Sequence, residues 1–214
     1  MTRPIDIKAI ARLTTLAGLL LSTFPAGAAE PVTLDASQIA HIAGLKRIDG
    51  RKLDSDRLRG KPVIVSFFAS WCLACNAEFD HMKLLHLAHT TEGLEIVAIN
   101  LFEGFAGFDD DGKHLKRFLG RRTPVFPTVT GTAKLFGDIK RLPTVFVFDR
   151  RGKPRLHFVH GAGTKKTNPG LSELRRAVRD SPGFGAAGRS PSLPERAESA
   201  THHFSLLHFA ESTR

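Results

Sequence analysis

The chain contains no tyrosine, one tryptophan and only two cysteines, Cys72 and Cys75. So little cysteine excludes a fold held by a framework of disulfides, which would show several spaced pairs. A single Cys-x-x-Cys also cannot make a four-ligand zinc site unless histidines complete it. The missing tyrosine is matched by 16 phenylalanines, which pack without needing a partner for a hydroxyl. Internal repeats are lacking. The longest apolar stretch falls short of a comfortable membrane span, which needs roughly 20 residues. Charge is not segregated either. The net charge is +10, but the basic residues are scattered, as in Arg121-Arg122, Arg150-Arg151 and Arg175-Arg176. No recognition motif accompanies them, so they read as a solvated surface, and nucleic acid is not expected as a partner.

What is present fits one globular domain with additions at both ends. Hydrophobic residues make up 42% of the 214 positions, enough for a core. Residues 1–29 read as an export signal. Arg3, Lys8 and Arg12 precede the apolar stretch Leu13 to Phe24, Pro25 breaks it, and Ala26-Gly27-Ala28-Ala29 offers small residues for cleavage. A lipid anchor is not expected, since both cysteines lie elsewhere; an uncleaved anchor, with membrane contact, is the alternative. An exported chain would work in the periplasm, among substrates whose thiols can be oxidised. Residues 30–180 form the expected domain. Residues 181–214, rich in Gly, Ser, Pro and Ala, read as a poorly ordered tail.

Along the domain, strands and helices mix. Leu45 to Gly50 looks like a hairpin with an Asp-Gly turn, and Asp54 to Leu58 suggests one helical turn. Val63-Ile64-Val65-Ser66-Phe67-Phe68 reads as a strand buried on both faces. From Leu73 to about His89 there is no Gly or Pro, and Phe79, Met82 and Leu85 recur at helical spacing. Leu94 to Asn100 reads as a second buried strand, followed by a Gly- and Phe-rich loop over 101–112. The phenylalanines of that loop, Phe102, Phe105 and Phe108, are expected to cover the core. Helices are expected at His114 to Leu119 and at Thr132 to Phe136, strands at Thr144 to Phe148 and Arg155 to His160, and a last helix marked by Leu171, Leu174 and Val178. This order implies an α/β sandwich around one sheet.

The two cysteines sit where a buried strand feeds a helix. A helix N-terminus offers unpaired amides and partial positive charge, which stabilise a thiolate. Cys72 is then the nucleophile that attacks a disulfide, and Cys75, one turn into the helix, resolves the mixed disulfide. The motif alone leaves an inert disulfide or half a metal site open; its place behind a buried strand and after Trp71 favours redox chemistry.

Two blocks carry a resemblance. They are Gly60 to Phe79, centred on Ser70-Trp71-Cys72-Leu73-Ala74-Cys75, and Arg141-Leu142-Pro143-Thr144-Val145-Phe146-Val147-Phe148 through Gly152. Together they resemble the TlpA/ResA branch of the thioredoxin family, over about residues 40 to 180. The resemblance implies a thioredoxin-like fold, with a central mixed β-sheet flanked by helices. It also implies an exported thiol–disulfide oxidoreductase, in several members linked to cytochrome c maturation. Expected partners are protein disulfides or dithiols and a membrane electron donor; no cofactor or metal is expected. By resemblance, Pro143 follows a cis bond and faces the dithiol. Leu142 and Trp71 would then contact substrate. Glu78 would handle protons near Cys75, where a buried carboxyl has a raised pKa. Ser66 stands where cytoplasmic thioredoxins carry a buried Asp. Ala74 departs from the family, which usually has Pro there. The rivals are a peroxiredoxin, which needs Thr where Ala69 stands; a copper module using Cys72, Cys75 and a histidine such as His157 or His160; and a binding module without turnover.

Overall fold

The computed structural model describes residues 32–105, 112–163 and 165–184. The expected signal, Phe108 and the tail beyond 184 lie outside these residues. Helix α1 is Ala36–Gly44, strand β1 Lys46–Arg47, β2 Val63–Phe68, α2 Leu73–His89, β3 Glu95–Asn100, α3 Lys113–Arg122, β4 Thr128–Thr130, β5 Thr144–Phe148, β6 Pro154–Val159 and α4 Leu171–Arg179. The strands make one sheet in the order β1-β4-β3-β2-β5-β6. The β2–β3 and β3–β4 pairs are parallel and the other pairs antiparallel, so the sheet is mixed as expected.

Adjacent phenylalanines divide the core between the two faces of this sheet. Successive strand residues point to opposite sides. Phe67 meets Phe136 and Phe146 on one side, at ring distances of 5.3 and 6.2 Å. Phe68 meets Phe79 of α2 and Phe118 of α3 on the other, at 4.6 and 5.5 Å. Aromatic pairs of this kind add about 0.5–1.5 kcal/mol each beyond the area they bury. The segment carrying Phe136 is tied to α1 by the Gln38 Nε2–Leu135 O bond of 3.4 Å, which places α1 with that layer. Ser66 shares the Phe68 side, facing the helix that carries the cysteines.

Several local expectations change. β1 does not fold back as a hairpin; Lys46 and Arg47 pair with Thr130 and Val129 of β4. A hairpin needs a second strand of matching alternation, and Arg51-Lys52-Leu53-Asp54 offers one apolar residue. The Asp-Gly turn itself forms, with Gly50 N–H donating to Arg47 O at 3.1 Å and Asp49 held by Arg47 and Arg51. Thr132 to Phe136 makes a single turn, Phe136 N to Ala133 O, and no helix. Helix α1 was not anticipated, although Asp35 and Gln38 form a complete capping box at its start. Gly152 shows why a turn there excludes a side chain: φ is +74°, and a Cβ would run into the Leu34 carbonyl oxygen. No described helix is long and apolar enough to cross a membrane. Past α4, Ser181 is buried and Phe184 packs on the His89 ring at 5.4 Å.

Candidate active site

Helix α2 begins at Leu73 because Cys72 is still extended, at ψ 105°. Cys72 is its N-cap, and its Sγ accepts the Cys75 N–H at 3.2 Å. No acidic residue occupies the first turn, so the amide dipoles act on the sulfur unopposed there. Cys72 and Cys75 are joined in a disulfide with Cα atoms 5.3 Å apart. Cys72 is 6% exposed and Cys75 fully buried. Cys72 is therefore the outer member of the pair.

Glu78 lies one turn beyond Cys75 and is completely buried. Among the described residues, neither of its carboxyl oxygens has a hydrogen-bond partner, nor does the buried Ser66 hydroxyl. Burial pushes the Glu78 carboxyl up from 4.5 to about 8. Ser66 is near enough to offset part of that rise, although the two groups make no hydrogen bond. A carboxyl at this value lies close to the pKa of a free thiol, about 8.5.

The Leu142–Pro143 bond is cis. Thr144 pairs with Phe67, so the antiparallel register carries Pro143 to a place opposite Phe68, at the end of β2 from which the cysteine loop departs. Leu142 beside it is buried, at 8% exposure. The same end of the sheet thus receives the dithiol, Glu78 and the Leu142–Pro143 bond.

The loop before Cys72 is held in a way that the sequence did not reveal. Trp71 Nε1–H donates to Phe102 O at 2.8 Å. Ser70 N–H donates to Glu103 Oε1 at 2.7 Å and Ser70 Oγ–H to Oε2 at 2.6 Å. Asn100 Nδ2–H also donates to Glu103 Oε1, at 2.6 Å. Phe102 adopts φ +60° to make this turn, a left-handed conformation that costs a non-glycine residue roughly 1–2 kcal/mol. Phe102 and Phe105 do not cover the core as expected. They are 45% and 68% exposed, and Phe105 contacts the Trp71 ring at 5.4 Å.

The histidines considered as copper ligands are placed otherwise. His157 stacks on Phe146 at 4.2 Å, and His160 Nδ1 meets Thr167 O at 2.8 Å.

The chain is similar to known proteins over this same region. It is 29% identical over 112 residues to the thiol–disulfide oxidoreductase ResA of Bacillus subtilis (strain 168), covering 51% of this chain and 59% of that protein. The chain thus spans 59% of the length of the first relatives it matches. It is also 27% identical over 138 residues to the thioredoxin-like protein YneN of B. subtilis (strain 168), covering 63% and 77% of the two chains. Among solved structures, a secreted Mycobacterium tuberculosis disulfide oxidoreductase, homologous to E. coli DsbE, superposes with a TM-score of 0.52. It has 17% identity and covers 65% of this chain and 96% of its own. That likeness establishes the thioredoxin-like fold. The Redoxin family model matches residues 23–172, a span that takes in both the cysteine loop and the cis-proline; the chain belongs to the Redoxin family.

Proposed function

We propose that the protein is a thiol–disulfide oxidoreductase in which Cys72 and Cys75 form the redox pair. The observation that carries this reading is the capping of α2 by the Cys72 sulfur, which takes a backbone amide at a helix N-terminus. That is the setting in which a thiolate is stabilised. In the reductive direction, the Cys72 thiolate attacks a substrate disulfide and releases one substrate thiolate. Glu78 accepts the Cys75 proton, and Cys75 attacks the Cys72 sulfur to free the second. The substrate gains two electrons, and the pair ends as the disulfide seen here. A dithiol donor, in this reading a membrane protein, must then reduce the pair.

Trp71, Leu142 and Pro143 are the surfaces against which a substrate peptide lies. The substrates are protein disulfides outside the cytoplasm, and the service is cytochrome c maturation. The export reading is supported by the positive, apolar and small-residue sections of the first 29 residues. The reduced protein should reduce insulin disulfides, with the activity lost in Cys72→Ser. A measured reduction potential decides direction, with a strongly reducing value supporting a reductase and one near that of DsbA an oxidase. An oxidised pair that no dithiol reduces would end the reading.

A further inference from the structure

The geometry points to Glu103 as the positioning residue of the dithiol. It would hold the Ser70–Trp71 turn through its carboxylate and so fix where Cys72 sits at the tip of α2. This inference rests on the reading of Cys72 and Cys75 as a redox pair.

Both Glu103 oxygens are committed. One takes the Ser70 amide and the Asn100 side chain, and the other the Ser70 hydroxyl, all within 2.7 Å. Charge-assisted bonds of this length are about twice as strong as neutral ones. All three donors are neutral, and among the described residues no cation pairs with the carboxylate. Its position also coincides with a strained backbone. Phe102, at φ +60°, sends its own carbonyl to the Trp71 indole while Glu103 reaches Ser70. The strand ends are stitched at the same place by Leu101 N–H to Phe68 O at 2.8 Å. Every residue from Phe68 to Trp71 except Ala69 is therefore bonded to the segment 100–103. Ala69 in turn accepts the Cys72 N–H at 3.2 Å. A left-handed phenylalanine persists only where its surroundings over-determine it, and here the bonds that do so converge on the residues before the nucleophile.

The chain supplies its own reporter, because Trp71 is its only tryptophan. Glu103→Ala removes the three bonds and should red-shift Trp71 emission and speed deuterium exchange at the Ser70 amide. It should also change the exchange equilibrium with a reference dithiol by about threefold or more, a modest step on the redox scale. Glu103→Gln keeps an oxygen for the Ser70 amide without the charge, and should restore all three readouts towards wild type. Glu103→Ala overlaying wild type would overturn the proposal. So would Glu103→Gln behaving like Glu103→Ala, since the charge and not the positioning would then matter. If Glu103→Ala does not fold, Ser70→Ala replaces it. It loses one of the three bonds and should move the emission and the exchange equilibrium in the same direction by less; no movement overturns the proposal. If the wild-type pair itself fails to exchange, the redox reading is what fails, while the emission and amide readouts still report on the clamp.

Discussion

Glu78 and Glu95 are both buried glutamates, and the protein treats them in opposite ways. Glu95 starts β3, paired with Val63 at the end of the sheet away from the cysteines. It is 8% exposed and holds two cations, Arg57 at 2.8 Å and Lys61 at 3.3 Å. Glu78 faces the layer of Ser66 and Phe68, has no hydrogen-bond partner among the described residues and is pushed up to about 8 by burial. A carboxylate that is satisfied serves the fold. One that is desolvated and unpaired costs stability when ionised. What separates the two is the supply of donors as well as the depth of burial.

If the chemistry sits only at the Glu78 end, the largest effects belong to the cysteines. Cys75→Ser should accumulate mixed disulfides with protein partners, visible as bands lost on reduction. Cys72→Ser should accumulate few, and Glu95→Gln should turn over like wild type. Equal trapping by the two cysteine variants would sink the assigned roles.

Next in size is the pH dependence of stability that Glu78 imposes. The folded protein holds this proton up to about 8, whereas the ordinary carboxyl releases it near 4.5. Between those values the folded state binds more protons, so stability falls as pH rises through the window. The full loss is about 5 kcal/mol at its upper end. Urea melts of the oxidised protein, in which the cysteines do not titrate, should show this decline, and Glu78→Gln should flatten it. The variant should also exchange thiols more slowly. Parallel pH–stability curves for the two proteins would make Glu78 a bystander.

The fold was legible where one signal was long. Val63–Phe68 is an uninterrupted run of β-branched, aromatic and small residues, and α2 runs 17 residues without Gly or Pro. Short elements hid. β4 has three residues beside Pro127, and α1 buries only Ile39 and Ile42, too few for a clear period. The expected helix at Thr132 to Phe136 gave way to tertiary packing, because Phe136 turns in to meet Phe67 and Phe146. In the candidate site, the grouping of Cys72, Cys75 and Glu78 was legible because it is local, each three residues from the next at the start of one helix. Pro143 needed the family block. Glu103 was hidden because Ser70 lies 33 positions away, and no spacing rule links a loop carboxylate to a donor so distant.

The smallest effect tests the satisfied member of the pair. Breaking a buried ion pair is severe when it strands a buried charge, about 3–5 kcal/mol. Here the stranded partners would be Arg57 and Lys61, whose side chains are 43% and 34% exposed. Water can take them over, so Glu95→Gln should cost only about 1 kcal/mol, less in high salt. A second readout lies in His86 on the facing helix. Burial lowers its pKa, Glu95 raises it and Arg57 lowers it again. Without the Glu95 charge, burial and Arg57 act together, and the imidazole should titrate at lower pH by proton NMR. A loss of several kcal/mol would mean that Glu95 holds the sheet end by more than its ion pairs. An unmoved His86 titration would mean that the two groups do not feel each other, and the contrast with Glu78 would lose its electrostatic basis.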